Sequence, residues 1–269
     1  ADITIHALSR HPLQNTANVT WHTCDLLNDD PANLIDAIRP THLLHLAWDV
    51  THGACWQSDA NEAWYRASCR LLDAFIKQDG KRVVVCGTCA EYDWQEGICH
   101  EDSTPLSDDS AYAYYKSKLL ADLEKRPVSW GWARPFWVYG PGEPLEKLVT
   151  STILKLTSNK PAICQNPQLQ RDMIYVSDVA RGLIQLLNHP QNGIVNLGSG
   201  KAISLHEVMK EVGRQLNKLE LISSSISHKP IQNRSVYADT QKAKNWLQWA
   251  CDVNLHEGIM RTINSIVKK

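Results

Sequence analysis

The chain has 269 residues, 43% of them hydrophobic, and carries 28 basic against 29 acidic side chains for a net charge of -1. So balanced a charge lacks the cationic footprint that nucleic-acid backbones require, and no apolar run approaches the roughly 18 residues of a membrane helix. Without a basic segment followed by an apolar one at the start, no signal peptide is read, and a cytoplasmic location is expected.

Strands and helices alternate along the first half. The pattern predicts a strand at about 3–8, an Asp/Asn-rich turn and a helix at 31–39, a strand at 42–47, a helix at 58–78, a strand at 82–86, a helix at 111–125 and a strand at 129–133. Such alternation argues for an α/β fold, a doubly wound parallel sheet covered on both faces. Beyond Gly142 the texture changes. A helix and a Pro/Asn/Gln loop are expected over 143–171, a strand turn and helix over 172–188, and a strand at 194–197. A capping box of Ser204 and Glu207 then opens a helix running to about 217. A polar linker from Ser223 to Asn233 precedes a helix-rich tail with Trp246 and Trp249.

Tyr112-Ala-Tyr-Tyr-Lys116 carries the most chemistry. Residues four apart share a helix face, so an ammonium can sit beside a phenol and favour its ionised form. Arg82-Val-Val-Val-Cys-Gly-Thr88 reads as a buried parallel strand that delivers Thr88 at its carboxyl end. Arg134-Pro135 to Gly142 breaks regular structure just beyond another strand. Other motifs fail on inspection. Cys86-Gly-Thr-Cys89 closes a strand instead of opening a helix, and no second C-x-x-C exists, so neither redox nor zinc chemistry is expected. The eight cysteines are scattered and read as reduced thiols. Gly198-Ser-Gly-Lys201 has Val195 and Ala202 where a phosphate loop needs Gly and Ser/Thr.

The strand ending at Thr88, the Tyr112/Lys116 pair, Arg134-Pro135 to Gly142, Arg171-Asp-Met-Ile-Tyr-Val-Ser-Asp178 and Val195-Asn-Leu-Gly-Ser-Gly200 occur in an order that resembles the extended short-chain dehydrogenase/reductase family of sugar-nucleotide epimerases, dehydratases and reductases. The resemblance implies a Rossmann-like cofactor domain at 1–142, with 172–198 returning to it, and a substrate-binding lobe from 143–171 and 199–269. It implies Thr88, Tyr112 and Lys116 as catalytic residues, with Lys116 lowering the Tyr112 pKa and holding the nicotinamide ribose. Arg10, Asp25, Leu46, Ala47, Trp48 and Pro135 join Tyr112 and Lys116 as cofactor contacts, while Thr88, Trp137 and Arg171 meet a nucleotide-sugar. A homodimer is implied as well.

Three departures shape the functional expectation. The first glycine is Gly53, so the G-x-x-G-x-x-G turn that holds the cofactor pyrophosphate is absent from the chain. A first βα unit is expected upstream, and a truncated, non-catalytic dinucleotide-binding relative is the alternative. Thr88-Cys-Ala-Glu91 stands where family dehydratases carry T-D-E, which disfavours elimination. Trp64 and Trp137 occupy positions where relatives carry Asn, and Trp48, Trp94 and Trp137 are candidates to line the pocket. Arg10 suits the 2′-phosphate of NADP, so NADP(H) is expected over NAD(H). The expected reaction is reduction of a 4-keto nucleotide-sugar, with an NAD-dependent 4-epimerase as the rival.

Overall fold

The computed structural model describes residues 3–51, 53–225 and 233–267. Four parallel strands form the central sheet in the order β10-β6-β4-β3: β3 (His42–His45), β4 (Arg82–Cys86), β6 (Ser129–Pro135) and β10 (Gly193–Leu197). Strands β1 (Ile5–Ser9) and β2 (Val19–Thr23) pair in parallel with each other. Among the described residues they form a separate ribbon that is not hydrogen-bonded to the central sheet.

The valine run of β4 shows why this sheet is central. Side chains alternate across a strand, so Val83 and Val85 enter one core cluster while Val84 enters the other. The first cluster is covered by helices α1 (Ala32–Ile38), α2 (Ala60–Lys77) and α3 (Ala111–Leu123), through Ile35, Leu71, Leu72, Phe75, Leu119 and Leu123. The opposite face is covered by α5 (Val176–Leu187) and α7 (Gln241–Leu247), with Trp249 fully buried beside them. Both faces are therefore closed, as an all-parallel sheet requires.

A second, mixed sheet combines strands from both sides of Gly142. Its order is β11-β9-β13-β5, from β5 (Ile98–Cys99), β9 (Gln170–Tyr175), β11 (Ala202–Ser204) and β13 (Ser235–Ala238), with β7 (Trp137–Tyr139) also on β9. A third core packs α4 (Leu148–Thr157), α6 (Leu205–Gln215) and α8 (Leu255–Val267) around Tyr139, Ile153, Val208 and Ile259, flanked by the pair β8 (Ala162–Cys164) and β12 (Ile222–Ser224). Residues 172–175 thus lie in the mixed sheet, and it is α5 and β10 that return to the central one. The linker expected from Ser223 to Asn233 begins as β12, and 226–232 lie outside the described residues. Ser204 caps α6 by accepting from the Glu207 amide at 3.1 Å, whereas the Glu207 carboxylate turns to Lys210 and Arg214.

One carboxylate joins the two sheets. Asp172, fully buried, accepts from the Ser199 amide and hydroxyl at 2.6 Å each, from Gly200 N at 3.0 Å and from Ala238 N at 3.1 Å. This explains the glycine-rich turn that follows β10. A Cβ on Gly198 would lie 2.5 Å from the Asp172 carboxylate, and Gly200 sits at a φ of +75°, a region that favours glycine. The turn that resembled a phosphate loop binds an anion belonging to its own chain. Asp172→Ala would orphan three backbone donors and is expected to destabilise the fold by on the order of 3 kcal/mol, read as a lower urea midpoint with unchanged slope.

Candidate functional site

The carboxyl ends of the central strands converge on a cluster built around Thr88. After β4, Thr88 adopts an extended conformation and caps a short turn over Cys89–Glu91. Its hydroxyl accepts from Ala90 N, and its amide donates to Glu91 Oε1 at 2.8 Å. This is a full capping box. Glu91 is completely buried. It also accepts from the Trp132 indole at 3.0 Å and from Arg134 Nε at 2.7 Å, with Arg134 1% exposed. Burial works against the Arg134 charge, but the Glu91 carboxylate and the Tyr92 ring outweigh it and hold the guanidinium protonated. Tyr92 in turn donates to Asn196 of β10 at 2.7 Å. The turn carrying Thr88 is thereby fixed to β6 and β10.

Ser110 starts α3 by accepting from Ala113 N at 3.1 Å, which delivers Tyr112 in the first turn and Lys116 one turn later on the same face. Tyr112 is 9% exposed and lies close enough to Thr88 for that side chain to influence its ionisation. Lys116 does not make the phenol acidic, contrary to expectation. Burial dominates and pushes Tyr112 above its ordinary value of 10.0, with the neighbouring Thr88 side chain the main opposing influence. The ammonium of Lys116 instead donates to the Cys86 carbonyl at 2.8 Å and lies 4.1 Å from the centre of the Trp48 ring.

Trp48 does not line an open pocket. It is 8% exposed, its indole donates to Asn61 Oδ1 at 2.9 Å, and Asn61 is anchored on the carbonyls of Cys55 and Ser58. The indole thus serves as a π surface for the Lys116 cation. Leu46 is exposed and Ala47 half-buried just beyond β3, and Pro135 is half-buried at the end of β6. Trp64 packs in the core of α2. Asp25 caps its own turn, accepting from Leu27 N and Asn28 Nδ2. Arg10 is exposed at the end of β1, and its charge reaches both Asp25 and Asp49, bringing the ribbon's end to the side where Trp48 emerges.

On the other flank, Arg171 does not pair with its neighbour Asp172, since adjacent strand residues face opposite ways. Its guanidinium donates to the carbonyls of Gln170 and Asn233 and stands 5.7 and 5.0 Å from the rings of Trp94 and Trp137. Trp56, which no sequence pattern flagged, completes this side. It meets Tyr112 edge-on at 5.9 Å and Trp94 at 6.4 Å. Glu91 was not singled out from the sequence, although its T-x-x-E spacing from Thr88 is a capping-box pattern that could have found it. The Cys86 and Cys89 thiols are both pushed up by burial, which suits inert thiols. A surface cleft lined by Arg126–Ser129 and Pro190–Asn192 lies at the opposite, amino-terminal edge of the sheet.

These residues fit the nicotinamide end of a dinucleotide. Among the described residues Lys116 is a buried cation with no carboxylate in salt-bridge reach, set beside a phenol and a hydroxyl where parallel strands end, the place such sheets bind ligands. The architecture and this edge define the class, a doubly wound α/β oxidoreductase sheet. The chain belongs to the NAD dependent epimerase/dehydratase family, whose sequence profile matches residues 1–198, oxidoreductase-type enzymes of the extended short-chain dehydrogenase/reductase kind. It is 27% identical to a UDP-glucuronate 4-epimerase of Thermodesulfobacterium geofontis over 98% of this chain and 84% of that protein. It is 30% identical to UDP-glucuronic acid decarboxylase 6 of Arabidopsis thaliana over 47% of this chain, a match that spans 38% of that relative. The solved structure of MoeE5 in complex with UDP-glucuronic acid and NAD superimposes with a TM-score of 0.84 at 24% identity, covering 98% of this chain and 91% of that one. Among the described residues no helix is long and apolar enough to cross a membrane.

Burial lowers Lys116 to about 8, with Cys86 and Glu91 opposing it. The groups facing it are Cys86, Glu91 and His45, and His45 is itself held neutral, lowered to about 3 by burial and then by the Lys116 charge. A lowered pKa means that the ammonium is present below about 8 and lost above it. An anionic dinucleotide held by that charge is therefore expected to bind more weakly as pH rises through this value, with Lys116→Arg flattening the profile. Fluorescence titration of NAD across the range measures it.

Proposed function

We propose that this protein is an NAD-dependent 4-epimerase of a nucleotide-activated sugar. Tyr112 is the acid/base, Thr88 shares the reacting sugar oxygen, Lys116 holds the nicotinamide ribose, and Arg171, with Trp137 beside it, receives the diphosphate. The observation that carries the reading is the Thr88–Tyr112–Lys116 cluster at the carboxyl edge of the sheet, together with likeness to a UDP-glucuronate 4-epimerase along nearly the whole chain. Cys89 and Ala90, in place of an acid and a base, argue against water elimination.

When bound, NAD supplies the reversible hydride acceptor that such chemistry needs. The chain's own residues handle the proton. Tyr112 removes it from the sugar hydroxyl as the carbon is oxidised and returns it to the same oxygen when the carbon is reduced on its other face. Its raised resting pKa makes the phenol a proton donor until a positive charge is placed nearby. Burial does for Lys116 the converse, weakening its hold on its proton, so that it is charged at neutral pH but loses the charge as pH rises past about 8. In this reading residues 1–142 with 172–198 form the cofactor part, 143–171 with 199–269 the substrate lobe, and the division falls within β9. Two chains pair through the outer face of α2 and α3, where Tyr65 and Tyr115 cluster with the exposed Tyr114.

A second reading, NADPH-dependent reduction of a 4-keto nucleotide-sugar, is favoured by one observation, the exposed Arg10 at the end of β1, placed to meet a 2′-phosphate. The two readings part in the cuvette. With NAD and UDP-glucuronate, the epimerase is expected to yield the C4 epimer by proton NMR without accumulating reduced cofactor. Consumption of NADPH by a 4-keto sugar nucleotide, with no epimer formed, would overturn it in favour of the reductase. Tyr112→Phe is expected to lower the epimerisation rate by about 10²- to 10⁴-fold with an unchanged melting temperature.

A further inference from the structure

Of the tryptophans around Tyr112, Trp94 and Trp137 pack against buried clusters, whereas Trp56 is not accounted for by folding. Trp56 is 41% exposed and belongs to none of the buried clusters, yet its ring stands edge-on to Tyr112 at 5.9 Å and 80°. It continues into Trp94 at 6.4 Å and 87°, and Trp94 into Trp137 at 5.4 Å and 52°. The three indoles come from three separate segments, the turn Cys55–Gln57, the loop after Tyr92 and the start of β7. Their convergence is therefore a product of the fold and not of local sequence.

Resting on the nucleotide-sugar reading, we propose that Trp56, Trp94 and Trp137 form a sugar subsite that holds the C–H face of a pyranose by stacking instead of by directional hydrogen bonds. The ends of the wall set the direction of the ligand. At one end stands Arg171, a cation whose partners among the described residues are backbone carbonyls and π faces, suited to a diphosphate. At the other stands Tyr112, so the ring between them lies along the indoles with its reacting carbon toward the phenol.

The wall offers little polar competition. The Trp94 indole N–H is already spent on the Cys89 carbonyl at 2.8 Å, and Trp137 stands where relatives carry an amide. Apolar contact is non-directional, so both faces of a keto-sugar are accepted at similar cost. A ring that must turn over between oxidation and reduction then has few hydrogen bonds to break. The same reasoning predicts tolerance of sugars that lack a ring hydroxyl on the stacked side.

The test is calorimetric titration of the NAD-loaded protein with UDP and with UDP-glucose, in the wild type, Trp56→Ala and Trp56→Phe. Trp56 lies on an exposed turn, and far-ultraviolet circular dichroism verifies that the variants fold. Trp56→Ala is expected to weaken UDP-glucose about tenfold, the scale of one aromatic contact, while leaving UDP within about twofold, and Trp56→Phe to retain most of the affinity. Equal losses for the two ligands would move the stacking to the base and overturn the subsite alone, as would no loss for either. Failure of the wild type to bind UDP would overturn the nucleotide-sugar reading and the subsite with it.

Discussion

A carboxylate sealed from water organises the working edge of this protein. Glu91 accepts from the Thr88 amide, the Trp132 indole and Arg134, so strand β4, the turn after it and strand β6 share a single charged centre. Burying an ion pair is costly and gives little net stability by itself, whereas breaking one strands the remaining charge. The pair therefore acts less as a source of stability than as a constraint. A shift of the Thr88 backbone would disturb the carboxylate that neutralises Arg134, so the position of Thr88 beside Tyr112 inherits its rigidity from buried groups behind it.

The two cations of the site illustrate different ways to keep a charge indoors. Arg134 has a carboxylate and stays protonated. Lys116 has a carbonyl and an indole face, and loses its proton far more readily than a surface lysine. Arg171 resembles Lys116, with backbone oxygens and two indoles as company. The lysine and Arg171 are under-neutralised, the first set against Trp48 and the second against Trp94 and Trp137. An anion bound at either place gains from a partner that the fold has not already supplied.

Local patterns in the sequence were sufficient where the physics is local. The valine run of β4 and the i, i+4 spacing of Tyr112 and Lys116 act within a few residues, and the corresponding elements fall close to where the pattern puts them. The mixed sheet was harder to foresee, because its strands are two to six residues long and their partners are remote, as when Cys99 pairs with Ala238. The fate of the Lys116 ammonium depends on Trp48, which lies 68 positions earlier and is turned inward by Asn61, so a helical spacing could bring the lysine near the phenol but not say which way its charge would point. Trp56 sits in a short irregular turn with no periodicity to mark it. Gly198-Ser-Gly200 failed the phosphate-loop pattern, and only the fold reveals that this turn binds the carboxylate of Asp172.

The separation of the β1–β2 ribbon from the central sheet has its own effect on how the protein behaves in solution. Among the described residues β1 is bonded to β2 alone and β3 to β4 alone, so each presents a row of backbone amides and carbonyls along one flank. Such rows recruit any extended chain that can reach them, and a net charge of -1 provides little mutual repulsion to keep copies apart. Each of those two flanks is therefore geometrically open to an added strand.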